Sequence, residues 1–497
     1  MTAFRIPSPP RSVALCHSPQ WRFLMLEVLR RFKQRYGCAI HVYVLAEAGV
    51  EFYAKHAEPG LVDSVTIRKL ISDGAQTPFE GDHEALADTA RAIEHRYGTT
   101  YNEIMMTDRH IGRGFSLLAP GFPRSRQSES TTYESILSNF NADFSFWEKE
   151  FDDKKIDLMI FPQKIPAVVA RQRNVPTRNF TRTRIGELFH WSHNGEFIEL
   201  PALAARTAAT EDPGAPVELR VYGQYEINKR NTVAGFSYGR AIRNACQWTV
   251  QYLLQRLSGR TSGYTWADTA RYHLQIPSQW REMRALNLAT ASDLAKAPYV
   301  FFTLQEEPEM SLSWQSPESW PQIAYLWQFA RDLPAGVRLA VKEHVYAIGR
   351  RPKGFYRHLA DFKNVLLVDP LLPGPEVVRG AAAVATITST AGFEAAWIGK
   401  PVISLSRHSL YNFLDHVWQP DIHPRGLRGV FDEIFEGKFD PRKAAIDGAR
   451  FHKALAEMSF DIGSYDMSKP EQFEPGWIEA AVNALEESLM DSQAAVS

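Results

Sequence analysis

The sequence predicts an α/β protein built on two doubly wound, Rossmann-type parallel sheets, with a helical insertion. Three observations carry that expectation. Short β-branched and aromatic runs alternate with helical patterns between residues 12 and 161. The same alternation returns from 298 to 405, as five strand-to-helix steps in about a hundred residues. A chain of 497 residues is also too long for one ordinary core, so the two stretches read as separate domains.

Taken in order, residues 12–16 (SVALC) are a short apolar run, read as a buried strand. Residues 21–36 follow with helical spacing, and Gly37 can end that helix. Residues 39–46 (AIHVYVLA) give a second strand and 156–161 (IDLMIF) a third, closed by Pro162. Helical patterns at 83–97 and 131–150 lie between them. From about 186 to 292 the pattern changes to a polar, alanine-rich segment and long helices. That stretch reads as an insertion in an N-terminal domain of residues 1–297. A cleaner rhythm starts at Pro298, with strands at 299–303 (YVFFT), 337–342 (VRLAVK), 365–368 (VLLV), 383–388 (AVATIT) and 402–405. Helices are expected between them at 321–331, 354–359, 375–379 and 392–398, making 298–440 the second domain. The tail, 441–497, is largely helical and is expected to pack back across both domains.

Composition excludes several classes. The formal net charge is -1, so no global field draws the chain to DNA or RNA, and no nucleic-acid partner is expected. Cys16, Cys38 and Cys246 show no repeated spacing, which argues against a disulfide framework and for a reducing compartment. Residues 1–11 hold prolines and no apolar run of the signal-peptide kind. No stretch of about 18 uninterrupted apolar residues occurs. A cytoplasmic location follows, with contact at the inner face of a membrane as the one extension. The basic stretch 240–260, with Trp248, Tyr252, Leu253 and Leu257, offers such a peripheral contact, or is a core helix with a charged outer face. GxxxxGK[ST], HExxH and GxSxG motifs are absent, 112–114 does not begin a GxGxxG, and the histidines lack metal-ligand spacing. No metal or other cofactor is therefore expected.

In open α/β sheets, ligands lie beyond the carboxyl ends of the strands. After 383–388 come Ser389, Thr390, Ala391 and Gly392, then a helix. That turn suits an anion at a helix N-terminus, and equally an ordinary N-cap. Glu394 is four residues after Thr390 and five after Ser389, outside the capping-box position, so it needs another partner. Ribose hydroxyls or a buried Arg or Lys would each serve. After 337–342 come Glu343 and His344. Lys342 and His344 can neutralise a phosphate, or His344 can move a proton; the alternative is a solvated Lys–Glu pair beside a loop histidine. The segment 304–309 (LQEEPE) is either a charged surface turn or a set of donor contacts that includes Gln305 and Glu307. In the first half, 107–114 (TDRHIGRG) offers Asp108 or His110 as a general base, with Arg109 and Arg113 for a phosphate or an acidic acceptor; otherwise it is a polar interdomain loop.

Taken as a set, YVFFTLQEEPE, VKEH and TITSTAGFEAAWIGKPVISL resemble the bacterial capsule polysaccharide biosynthesis family, strongest from about 298 to 412. Its Kdo-transferring members have the GT-B fold, two Rossmann-type domains facing a cleft. His344, Ser389 with Thr390, and Glu394 match that family's strand-end histidine, hydroxyl pair and helix glutamate. Val345 stands where proline is usual, and Gln305 where a histidine is usual. The resemblance implies a glycosyltransferase using a nucleotide-sugar, CMP-Kdo favoured over UDP- or GDP-sugars, and a glycan or glycolipid acceptor. Lys342, His344, Ser389, Thr390, Glu394 and Gln305 would then contact the donor, and Arg109, His110 and Arg113 the acceptor. Asp108, Glu307 and His344 are the candidates for catalysis. Two other functions are weighed beside it: a GT-B-shaped sugar-nucleotide epimerase or hydrolase, and a non-catalytic nucleotide-sugar-binding protein of a polysaccharide assembly.

Overall fold

The structure is a computed structural model. It describes residues 8–494 apart from 69–70, 107, 112–115, 117, 130, 193–199, 259–262, 310–311, 313–315, 317–318, 320, 408, 421–425, 438 and 464–472. Two compact units result. The first comprises Met1–Ile104, Ser130–Ala209 and Lys453–Ser497; the second comprises Met105–Glu129 and Thr210–His452.

Each unit holds one sheet. In the first, β1 (Ser12–Cys16), β2 (Ala39–Val44), β3 (Ser64–Ile67), β4 (Leu158–Ile160), β5 (Thr177–Arg182) and β6 (Leu188–Ser192) are joined by the short strand Phe460–Asp461. The order across the sheet is Phe460–Asp461, β6, β5, β4, β1, β2, β3. Strands β1 to β5 pair in parallel, whereas β6 and the terminal strand run antiparallel. Every residue of β1 is buried, as a central parallel strand with both faces covered requires. The helix Arg22–Tyr36 buries Leu24, Met25, Leu26, Val28, Leu29 and Phe32, and Gly37 ends it at φ 65° with its N–H on the Lys33 carbonyl.

The second sheet contains β7 (Tyr299–Thr303), β8 (Arg338–Lys342), β9 (Val365–Val368), β10 (Ala383–Thr386), β11 (Val402–Ser404) and β12 (Val417–Trp418). Its order is β9-β8-β7-β10-β11-β12, with every pair parallel. Counted within the sheet this is the order 3-2-1-4-5-6 of a Rossmann fold. The first sheet repeats it in β3-β2-β1-β4-β5-β6. Two Rossmann-ordered sheets in one chain are the GT-B make-up that the sequence led us to expect.

The division of the chain differs from the expected boundaries at 297 and 440. Residues 210–297 and 105–129 cluster with the second sheet because they are bonded to it. The Ala289 N–H donates to the Leu367 carbonyl at 2.8 Å, and Gly121 N–H to the Arg350 carbonyl at 2.9 Å. Gln279, on the helix Trp266–Arg284, accepts from Gly349 N–H at 2.8 Å. The tail belongs mostly to the first unit. Phe460 and Asp461 pair with Phe189 and Leu188, and the helix Pro475–Ala494 puts Ile478, Ala481, Val482, Leu485 and Leu489 into that unit's core. The expected helical insertion, 186–292, also contains a strand. Leu188–Ser192 is β6, and the helices follow it, as Leu200–Ala209, Gly223–Ala234, Tyr238–Leu257, Trp266–Arg284 and Ala291–Leu294.

Candidate functional site

In the second sheet the strand order reverses between β7 and β10, which opens a crevice at their carboxyl ends. Gln305 spans it. It is 6% exposed; its Oε1 accepts from Thr388 Oγ1 at 3.2 Å, and its Nε2 donates to the Thr303 carbonyl at 3.2 Å. Gln322 Oε1 accepts the Gln305 N–H at 2.7 Å. Gln305 therefore ties the ends of β7 and β10 together, and its own polar groups are already engaged in doing so.

Its neighbours divide by the alternation of an extended chain. Glu306 faces the loop after β8, where its carboxylate meets Arg350 at 2.6 Å and His344 Nδ1 at 3.5 Å. Glu307 is 1% exposed and accepts from Ser116 Oγ at 2.9 Å, from Leu118 N–H at 3.3 Å and from Gln322 Nε2. Burial pushes its carboxyl up, against the pull of the Arg351 charge. A carboxylate so enclosed anchors Ser116 and Leu118. Expected from sequence as a candidate for catalysis, Glu307 is thus buried and has both oxygens engaged within the protein.

Beyond β8, Lys342 and Glu343 part company. Glu343 is fully buried in a two-pronged ion pair with Arg351, at 2.7 and 2.8 Å, and also accepts from Tyr356 at 3.0 Å. The solvated Lys342–Glu343 pair considered from sequence is thus replaced by a buried Glu343–Arg351 pair. Lys342 is the last residue of β8. Burial lowers its ammonium to about 8, with the nearby Lys229 charge acting in the same direction and Glu226, Asp369 and Glu394 against it. His344 is held down by burial, with Glu306 and Glu343 opposing. Its backbone N–H donates to Glu343 Oε1 at 2.8 Å, which fixes where the ring begins.

After β10, Ser389 caps the helix Thr390–Trp397 by accepting the Ala391 N–H at 3.2 Å. The ordinary cap is therefore real for Ser389, and Thr390 is the first residue of the helix. Gly392 serves packing: a Cβ there would lie 2.2 Å from the Tyr411 hydroxyl and 2.7 Å from Thr386 Cγ2. The close approach it permits is that of Tyr411. Glu394, one turn along, makes no capping box. Burial raises its carboxyl to about 7, opposed by the charges of Arg379 and Lys342. Arg379 and then Lys342 are the basic charges nearest to it in effect, and both act through space, without an ion pair to Glu394 among the described residues.

Sequence reading gave no site role to the helix Gly223–Ala234, which packs against the turn Val345–Ala347. It carries Lys229, 2% exposed and paired with Glu226 at 2.6 Å. Tyr225 on the same helix is raised by burial first, then by Tyr346, Glu226, Glu306 and Glu394. In sequence, Glu226 and Lys229 look like any i,i+3 surface pair, so nothing marked them.

Asp108, Arg109 and His110 form a turn of their own, in which Asp108 Oδ1 accepts the His110 N–H at 2.8 Å and Arg109 is exposed. They lie in the second unit, not in the expected acceptor-side domain. Arg113 lies outside the described residues. Among the described residues no group of three or more His, Cys, Asp or Glu is placed to hold a metal ion.

The crevice so assembled presents a helix N-terminus, a lysine, a histidine beside a carboxylate, and a carboxyl that burial pushes up to about 7. Such a set can hold an anion and hydrogen-bond a hydroxyl group beside it. Residues 240–425 match the model of a family described as capsule polysaccharide biosynthesis protein. That stretch covers β7 to β12 and the two long helices before them. Comparison with curated proteins gave no match. Among solved structures, the chain is similar to KpsC of Thermosulfurimonas dismutans, a β-Kdo 2,4 transferase, at 13% identity and TM-score 0.29, over 67% of this chain and 87% of that one. It is similar to the UDP-GlcNAc 2-epimerase of Neisseria meningitidis at 12% identity and TM-score 0.27, over 97% and 99%. A glycosyltransferase from Rickettsia africae gives 7% and 0.28, over 98% and 99%. Likenesses of that size leave the fold to be argued from the sheets themselves.

Proposed function

We propose that this chain transfers a sugar from a nucleotide-sugar to a glycan or glycolipid acceptor in the building of a capsule or other surface polysaccharide. A Kdo-like sugar carried on CMP is the favoured donor. The observation that carries the reading is the gathering of Lys342, His344, Thr390 and Glu394 at the switch point of a Rossmann-ordered sheet. The family match over 240–425 supports it.

In this reading the donor phosphate sits at the N-terminus of Thr390–Trp397 and Lys342 supplies the positive charge. Glu394 hydrogen-bonds the ribose. As the sugar–phosphate bond breaks, negative charge collects on the leaving phosphate, and Lys342 and the helix N–H groups stabilise it most at that moment. His344 has its Nδ1 toward Glu306, so its other nitrogen is the group suited to taking the acceptor proton. Asp108 remains the second candidate for that role.

Purified protein screened by thermal shift against CMP, UDP, GDP and their sugars should rise in melting temperature with the bound nucleotide. Lys342→Gln should weaken that binding about tenfold or more, the value of one charge-assisted contact. Unchanged affinity in Lys342→Gln would remove the phosphate from this crevice. Release of nucleotide only when acceptor is present distinguishes transfer from epimerisation or hydrolysis.

A further inference from the structure

The helix Tyr238–Leu257 is built inside out. The side facing Trp266–Arg284 carries Asn244, Trp248, Thr249, Tyr252 and Gln255, and its contacts include a bond from Trp266 Nε1 to Thr249 Oγ1 at 2.8 Å and Arg281 over the Tyr238 ring at 4.5 Å. The outer side is apolar. Ile242, Val250, Leu253, Leu254 and Leu257 follow helical spacing along one stripe and are 54–85% exposed. Five large aliphatic side chains on one free face are an exposed patch that asks for a partner.

The charges around the stripe indicate which partner. Arg240 and Arg243 lie toward one edge and Arg256 along the other, all exposed, and the helix has no Asp or Glu. None of the three forms an ion pair among the described residues. Trp266, 45% exposed, adds an amphipathic ring bonded to the same helix. A second copy of the chain would set arginine against arginine across a two-fold axis, which favours another occupant. No described helix is long and apolar enough to cross a membrane, so the geometry is that of a helix lying on one.

We propose that the outer face of Tyr238–Leu257 docks on an anionic lipid surface, with the leucines below the headgroups and the three arginines among them. None of its residues belongs to the set proposed to hold the donor, so failure of either reading leaves the other intact. The test is co-sedimentation of the full chain with vesicles of phosphatidylethanolamine and phosphatidylglycerol, against pure phosphatidylcholine. Binding should favour the anionic vesicles and fall with added salt. Leu253→Glu with Leu257→Glu should weaken it about tenfold or more, with an unchanged helical spectrum and melting temperature. Arg240→Gln, Arg243→Gln and Arg256→Gln together should abolish the preference for anionic over neutral vesicles. Equal sedimentation with both vesicle types, parental binding in the leucine variant, or a dimer in light scattering that the leucine variant splits would each overturn the proposal.

Discussion

Glu394 and Lys342 face the same crevice, and burial moves each toward its neutral form. The consequence for Glu394 can be signed. Its folded value, about 7, lies above the usual 4.5, so the folded state binds its proton more tightly than the unfolded chain does. The stability this gives is complete below about pH 4.5 and is lost as pH rises through 7. Glu394→Gln should therefore gain on the parent across that window, by ~2–3 kcal/mol after allowance for solvent. Melting curves from pH 4 to 8 check it, and a constant difference between the two proteins would refute the assignment. Glu343 gives a larger effect of another kind. Glu343→Ala strands Arg351 in the core and should cost about 3–5 kcal/mol in urea unfolding. The residue types at the crevice were readable from the sequence, since strand ends followed by KEH and STAG are local patterns. The exchange of partners between Lys342, Glu343 and Arg351 was not, because it depends on which face of β8 each side chain takes.

At the scale of elements, the buried central strands were plain. β1, β2, β4, β7, β8, β9, β10 and β11 are runs of Val, Ile, Leu, Ala and aromatics, which parallel sheets covered on both faces demand. β3, β5, β6 and β12 were not recognised. TRNFTR in β5 has little apolar character, and β12 is two residues long, so pairing with neighbours makes them strands. The helix Thr390–Trp397 was placed within two residues of its start, but the packing of its glycine against Tyr411 was not foreseen. Gly392→Ala should destabilise the protein by ~1–3 kcal/mol through collision with Tyr411 and Thr386. Tyr411→Phe in that background should restore only part, because the ring carbon Cζ would still lie 2.8 Å away. Denaturant melts of the single and double variants measure both.

On the scale of the whole molecule, the chain passes between the two units at residues 104, 129, 209 and 452. The last passage gives a prediction. A chain ending at 452 loses Ile478, Ala481, Val482, Leu485 and Leu489 from the first core, together with the strand Phe460–Asp461. Each large aliphatic side chain is worth ~1.5–3 kcal/mol buried. The loss is comparable with the ~5–15 kcal/mol that holds a domain folded. The first unit should then lose its cooperative unfolding transition in calorimetry. The fold with two sheets survives in the reading of the sequence because each sheet announces itself locally. The boundaries did not, because a segment joins whichever core buries it, whatever its position in the chain.

The sequence alone determined the α/β class, the doubly wound second domain and the strand-end residues, Lys342, His344, Ser389, Thr390 and Glu394. These follow from hydrophobic period and from what directly follows a strand. Tertiary structure decided the rest. It enclosed Glu307, paired Glu343 with Arg351, packed the helix that carries Lys229 and Tyr225 against the turn after His344 and turned the apolar face of Tyr238–Leu257 outward. Each of those outcomes is a contact between residues far apart in the chain, or the lack of one, and helical spacing alone cannot say which side of a helix meets the protein.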